Sequence, residues 1–251
     1  MSVVVVTGAS SGLGRDFVLR LSRESEVDEF WLIARREERL CELSKEVKQK
    51  CKIITADLST ADGLKKYKEA LILEKPEISY LVNAAGYGKY GDYNVVDTST
   101  AFNMIDLNIK ALVYITQETL PFIKSGGKII QMGSASTYNP LPNLNVYAAS
   151  KSFVKHYSRA LSYELKDKNI SVTTVCPGWV KTEFFDRANI DMSFAKPLVN
   201  SKNVVEKAVK DAKKGKQVSM YALFNKTHHL AAKILPHSLL IKLWYKMQRK
   251  Y

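Results

Sequence analysis

The sequence predicts an α/β fold: a doubly wound parallel sheet with helices on both faces, in three layers, built as one domain over residues 1–251. Three observations predict it. Short, nearly unbroken apolar runs alternate with amphipathic stretches of helical period, the order of a strand–helix–strand chain. The apolar runs lack the in/out alternation of half-exposed strands, as expected where a parallel sheet is covered on both sides. No Gly-, Pro- or Ser-rich linker divides the 251 residues, and a chain of that length buries about three-quarters of its unfolded surface.

Taken in order, residues 2–6 (Ser-Val-Val-Val-Val) form the first buried strand, and residues 12–23 the first helix, with Leu13, Phe17 and Leu21 on one face. Residues 30–34 are the second strand, followed by a charged helix over 37–50. Residues 52–56 and 61–73 repeat the pair, and 80–83 is the fourth strand. A long helix is expected over 99–123, broken near Pro121, since proline removes a backbone donor and clashes with the preceding turn. Residues 128–132 are the fifth strand, 146–166 the fifth helix and 172–176 the sixth strand, stopped by Pro177-Gly178.

Thr7-Gly8-Ala9-Ser10-Ser11-Gly12-Leu13-Gly14 joins the first strand to the first helix. Gly8 permits a tight turn. Gly12 and Gly14 let the backbone approach a pyrophosphate and let the helix pack on the strand, while the helix N-terminus supplies N–H donors. The expected fold is therefore of Rossmann type. A fold selective for NAD carries an acid about 20 residues past the glycines, on the ribose 2′-hydroxyl. Here that place holds Ala34-Arg35-Arg36. A guanidinium binds a 2′-phosphate bidentately where a carboxylate would repel it, so NADP(H) is expected. Arg35 is the first candidate contact, Arg36 the second and Arg15 a weaker third.

The chain resembles the short-chain dehydrogenase/reductase family over residues 3–182, nearly three-quarters of its length. Thr7–Gly14 matches the T-G-x-x-x-G-x-G turn. Ala56-Asp57-Leu58 matches the third-strand acid, which the resemblance places on the adenine. Asn83-Ala84-Ala85-Gly86 matches the N-A-G motif that steadies the sheet. Asn108 matches the helix asparagine, and Ser134 and Tyr147-Ala148-Ala149-Ser150-Lys151 match the serine and Y-x-x-x-K. Pro177, Gly178, Val180 and Thr182 match the P-G segment beside the nicotinamide. Of 13 tyrosines, Tyr147 is the one with Lys four residues on. The ordered set makes a dehydrogenase more probable than a non-catalytic NADP(H)-binding regulator, the competing class.

The chemistry of these residues is coherent. Carbonyl reduction needs a hydride, supplied by the cofactor, and a proton, supplied by the protein. Tyr147 and Lys151 stand at i and i+4, on one helix face. A nearby ammonium favours phenolate and is expected to lower the tyrosine pKa from about 10 toward neutrality. Ser134 is expected to stabilise charge on the substrate oxygen, with Ser136 as its runner-up. The resemblance implies that Lys151 also holds the nicotinamide ribose and that Asn108 holds a water linking Lys151 to solvent.

Substrate contacts are expected from Ser134, Tyr138, Tyr147, Trp179 and Phe184. Tyr87, Tyr90, Tyr93, Phe185, Pro140 and Leu141 lie nearby in sequence and carry little charge. An apolar carbonyl or secondary alcohol, steroid-like or bile-acid-like, is favoured, with a 3-oxoacyl chain as the alternative. Residues 184–200 are expected to form a substrate lid that orders on binding.

The net charge of +13 is uneven: from position 201 onward there are twelve Lys and Arg against two Asp and Glu. Residues 221–251 read as a basic amphipathic extension, in which Leu239, Leu240, Leu243, Trp244 and Met247 make a helical stripe. That stripe suits packing on the chain's own body, a lid or subunit contact, or peripheral contact with an anionic membrane. Charge alone would also suit nucleic acid, but no groove-reading motif is present and none is expected to bind. Three scattered cysteines read as reduced thiols in a cytoplasmic protein. Four histidines show no metal spacing, and no signal segment is evident. The family resemblance implies a homodimer or homotetramer.

Overall fold

The computed structural model describes residues 2–191 and 197–248. Seven parallel strands lie in the order β3-β2-β1-β4-β5-β6-β7. They are β1 (Ser2–Thr7), β2 (Glu29–Ala34), β3 (Lys50–Thr55), β4 (Glu77–Asn83), β5 (Ile123–Met132), β6 (Ser171–Val175) and β7 (Val218–Ser219). The order reverses between β1 and β4, paired in register up to Thr7–Asn83. A crevice for ligands opens at that switch point, beyond the strand C-termini.

The strands alternate their apolar residues between two cores. Val4, Val6, Phe30 and Leu32 face one side. There they meet Phe17 and Leu21 of α1 (Gly12–Leu21), Leu40 and Leu43 of α2 (Glu37–Lys45) and, further along, Val204, Val205 and Val209 of α8 (Ser201–Lys213). Val3, Val5, Trp31 and Ile33 face the other side. There they pack on Leu64 and Tyr67 of α3 (Ala61–Glu74), Ile115 of α5 (Leu112–Thr119) and Leu161 of α6 (Asn145–Glu164). The expected three-layer, doubly wound fold is thus observed.

The long helix expected over 99–123 is three pieces: α4 (Thr98–Ile105), a wider π turn over Asp106–Ala111, and α5. Pro121 lies in a short 3₁₀ turn, Leu120–Phe122, and β5 begins directly after it. The expected lid is partly folded. Its first residues form α7 (Phe184–Ala188), which buries Phe185. Val199 closes the segment by donating to Trp179 O at 2.9 Å and accepting from Lys181 N at 3.1 Å. Residues 192–196 of the expected lid lie outside the described residues. The basic extension folds into α9 (Leu223–Ile234) and α10 (His237–Gln248); its last three residues, 249–251, also lie outside the described ones. No described helix is long and apolar enough to cross a membrane.

Candidate active site

The β1–α1 turn fixes one wall of the crevice. Gly8 sits at φ +68°, and a Cβ there would come within 2.8 Å of Ala85 N. Gly14 lies so close to Gly8 that a Cβ would meet its carbonyl oxygen at 2.3 Å. The Ser11 side chain does not cap α1, and no acid occupies the first turn. The N–H groups of Gly12, Leu13 and Gly14 therefore face the crevice with the positive end of the helix dipole. That donor set suits a pyrophosphate, so the residues fit a nicotinamide dinucleotide.

The basic side of the crevice is better organised than the sequence suggests. Arg36 donates to Ser11 Oγ at 2.8 Å and, at longer range, to Ser10 Oγ, which ties it to the phosphate turn. Its other arm reaches Glu183 at 2.9 Å, and Arg39 also pairs with Glu183. Arg35 instead lies 3.6 Å from Asp57 and is half exposed. Although partial burial opposes it, the hydrogen bonds of Ser59 and the charge of Arg35 hold the Asp57 carboxyl below its usual range. Arg36 is thus fastened to the glycine turn, whereas Arg35 leans on Asp57. Arg15 is occupied elsewhere, with both carboxylate oxygens of Glu46 at 2.6 and 2.7 Å.

Two further residues expected at the cofactor keep their side chains in the core. The Leu58 side chain is buried under α3. Asn83 is also buried; its Nδ2 donates to Thr116 Oγ1 at 3.0 Å, where Gln131 meets the same hydroxyl. It ties β4 to α5 as Gln131 ties β5. Ala84 and Gly86 line it, while Ala85 N donates to Thr7 Oγ1 at 3.1 Å.

Beyond the phosphate turn lies a cavity of about 510 Å³. Leu13, Ser134, Tyr147, Lys151, Pro177, Gly178, Trp179, Val180, Thr182 and Phe184 all reach it. With Ala84 and Gly86, residues from five separate motifs, spread over 172 positions of chain from Leu13 to Phe184, therefore converge on one space. Ser134 lies two residues past the end of β5 and caps the 3₁₀ turn Ala135–Tyr138, its Oγ accepting from Ser136 N at 3.1 Å. That leaves the hydroxyl proton of Ser134 free to donate. Ser136 also reaches the cavity, and its buried Oγ has no partner among the described residues.

Tyr147 and Lys151 occupy one face of α6, with Lys151 Nζ 5.8 Å from the phenol ring centre. The ammonium donates to Met132 O at 2.8 Å and is buried. Burial lowers its pKa to about 8. Tyr147 departs from expectation: burial pushes its phenol up to about 12, the neighbouring Ser134 hydroxyl opposing the rise. Desolvation is the largest cause. Tyr147 thus keeps its proton at neutral pH.

Asn108 lies in the π turn and is fully buried. Its amide accepts from Tyr87 N at 3.0 Å and donates to Tyr87 O at 2.8 Å and Ser150 Oγ at 3.1 Å. Both amide protons are spent on protein partners, so the side chain fixes the loop after β4. Tyr138, expected at the substrate, packs elsewhere. The tight turn capped by Ser134 swings it away from the cavity, against Cys176, Ala232 and Leu240, with its ring 4.1 Å from that of His229.

The sequence reading missed the far wall, which Phe224, Asn225, His228, Trp244 and Met247 supply from α9 and α10. Trp244 Nε1 and Gln248 Nε2 both donate to Pro142 O, at 3.0 and 3.1 Å, docking α10 over the entrance to α6. Of the apolar stripe, Leu240 and Trp244 pack on the chain's own body and Trp244 and Met247 cover the site, while Leu239, Leu243 and Met247 keep about half of their surface exposed. Trp244 and Met247 were legible as part of that stripe; no sequence signal tied Phe224 or Asn225 to the crevice. Gly178 shows how closely α9 packs: a Cβ there would lie 2.3 Å from Asn225 Oδ1. Asn225 cannot easily give way, being buried and bonded to Tyr221 O at 2.7 Å. Gly178→Ala is expected to cost about 1–3 kcal/mol through overpacking, read as a lower Tm; an unchanged Tm would contradict this packing. Among the described residues no His, Cys, Asp and Glu group could hold a metal.

The comparisons agree with this geometry. The family model described as short chain dehydrogenase matches residues 2–193. Sulfoacetaldehyde reductase 2 of Chromohalobacter salexigens is 37% identical over 193 residues, covering 72% of this chain and 74% of that protein. The human very-long-chain 3-oxoacyl-CoA reductase is 33% identical over 71% of this chain and 59% of its own length. A short-chain dehydrogenase from Sphingobium yanoikuyae, solved with NADPH, superposes with a TM-score of 0.81 at 26% identity, over 94% of this chain and 97% of that one. With the doubly wound sheet, the glycine turn at its switch point and the serine, tyrosine and lysine gathered on one cavity, the chain belongs to the short-chain dehydrogenase family of oxidoreductases, which act with a nicotinamide cofactor on small molecules.

Proposed function

We propose that this protein reduces the carbonyl group of an apolar substrate to a secondary alcohol with NADPH, reversibly. The observation that carries the reading is the cavity of about 510 Å³ in which Ser134, Tyr147 and Lys151 stand among Leu141, Leu144, Trp179, Phe184 and Trp244. The bound nicotinamide supplies the hydride. Tyr147, held protonated by burial, donates the proton to the substrate oxygen. Ser134, its proton free, gives that oxygen a second hydrogen bond and stabilises charge developing there. Lys151 places a cation behind the phenol and holds the ribose hydroxyls. Arg36, with Ser10 and Ser11, grips the 2′-phosphate, and Arg35 with Asp57 borders the adenine. Thr182, Val180 and Pro177 line the nicotinamide end.

The nearly uncharged walls support an apolar ketone such as a steroid-like or bile-acid-like molecule, with a 3-oxoacyl chain as the second reading. The latter is favoured by the similarity to the 3-oxoacyl-CoA reductase. Following NADPH absorbance against cyclic ketones, 3-oxoacyl thioesters and short aldehydes decides between them. Bulky apolar ketones are expected to give the highest kcat/KM, and turnover confined to short charged aldehydes would overturn the proposal. Exposed Phe102 and Ile105 on α4 and Phe153 on α6 support the homo-oligomer that the family suggests.

The pH profile tests the lysine. A group held down to about 8 is charged below that pH and loses its charge above it. Ketone reduction at saturating NADPH is therefore expected to stay level from about pH 6 to 7.5 and to fall above about 8. The phenol, at about 12, contributes no limb in this range. A rate still rising at pH 9.5 would contradict the assignment.

A further inference from the structure

A second cavity, of about 650 Å³, lies against the opposite side of the segment that carries Tyr138, with Leu141 on the boundary of both. Its volume is that of a small-molecule site, about 300–1,000 Å³. Pro140, Pro142, Ala148, Ala149 and Ile241 form apolar walls, and Lys155, His156, His229, Lys233 and His237 converge on it without any Asp or Glu. These groups come from α6, α9 and α10, so the tertiary fold, not one charged helix, assembles them.

The arrangement is electrostatically unbalanced. Neither Lys155 nor Lys233 forms an ion pair among the described residues, although most exposed cations of β3, α3 and α8 do. Lys155 Nζ rests 4.4 Å over the ring of Tyr138. Burial first, then the charges of Arg159 and Lys233, hold the Lys155 ammonium below its ordinary range. Burial and the charges of Lys233, Lys155 and His228 do the same to His229. Convergent cations at a partly dry surface are disfavoured until an anion compensates them. Two buried polar atoms on the same wall also lack hydrogen-bond partners among the described residues: Oδ1 of Asn139, whose residue is 5% exposed, and Nδ1 of His229.

We infer that this cavity is a binding site for a small amphipathic anion, its apolar body against Pro140, Pro142 and Ala149 and its carboxylate, sulfonate or phosphate head between Lys155 and Lys233. Asn139 Oδ1 accepts from a hydroxyl or amide N–H on the same ligand, and His229 stacks along it beside Tyr138. The site is separate from the reductase cavity, and it stands whichever carbonyl compound that cavity takes.

Isothermal titration of octanoate into the full chain saturated with NADPH tests the site. One-to-one binding is expected. It should weaken at least tenfold in the double variant Lys155→Met, Lys233→Met, whose side chains keep the apolar stems and lose the charge. It should persist in Lys155→Arg, Lys233→Arg and in Phe224→Ala, which alters only the reductase cavity. Unchanged thermal unfolding of the methionine variant shows that loss of binding is not loss of fold. Octanol is expected to bind at least tenfold more weakly than octanoate. The inference is overturned if octanoate fails to bind, if the methionine variant binds it as wild type does, if octanol or inorganic phosphate binds equally well, or if Phe224→Ala alone abolishes binding.

Discussion

Tyr147→Phe is expected to bind NADPH with an unchanged Kd and to reduce ketones about 10³–10⁴ times more slowly, the upper part of the range for loss of a general acid. The ring stays in place, and with it the contact to Phe184, 5.4 Å between centres. What disappears is the one hydroxyl that is buried, protonated at neutral pH and beside Ser134. Ser134 cannot replace it, because an aliphatic hydroxyl is a much weaker acid than a phenol and gives the substrate oxygen a hydrogen bond without giving up its proton. The measurement is stopped-flow oxidation of NADPH alongside a fluorescence titration of the cofactor. Near-normal turnover in the variant would sink the assignment; lost cofactor binding would show a structural role in place of a chemical one.

Arg36→Asp is expected to weaken NADPH binding about 30- to 150-fold while leaving NADH nearly unaffected. The range follows from about 2–3 kcal/mol for a charge-assisted, bidentate contact to phosphate, at 1.4 kcal/mol per tenfold. Arg35→Asp should act in the same direction and less strongly. Arg35 leans on Asp57, whereas Arg36 is fastened to Ser10 and Ser11 of the phosphate turn. Because Arg36 and Arg39 share Glu183, the phosphate has to compete with a carboxylate for that guanidinium. The effect should therefore shrink as ionic strength rises, since these groups are exposed. Equal NADPH and NADH selectivity in wild type and both variants would remove the 2′-phosphate site from this place.

Much of this was legible in the sequence because its signals are local. The strand-to-helix turn over Thr7–Gly14, the pair Tyr147 and Lys151 one helical turn apart and the apolar runs of β1, β2 and β4 each need only a few consecutive residues to be read. Other signals were present but overlooked: Val204, Val205, Ala208 and Val209 give α8 an apolar face at helical spacing. The two-residue β7 had no signal at all. It exists because Thr174 and Val175 offer it a paired edge.

The amino-acid sequence by itself determined the doubly wound order and the glycine turn, and placed the candidate reacting side chains, since each depends on spacing along a strand or a helix. Only the tertiary structure decided which arginine faces the phosphate turn, that Asn108 braces a loop, that Tyr138 turns its back on Ser134, and that α10 roofs the cavity. Those outcomes depend on contacts between residues tens to about a hundred positions apart, such as Trp244 with Pro142. They depend also on burial, which raised the phenol of Tyr147 where its neighbour's charge alone would have lowered it. Desolvation is a property of the packed surroundings, and no motif carries it.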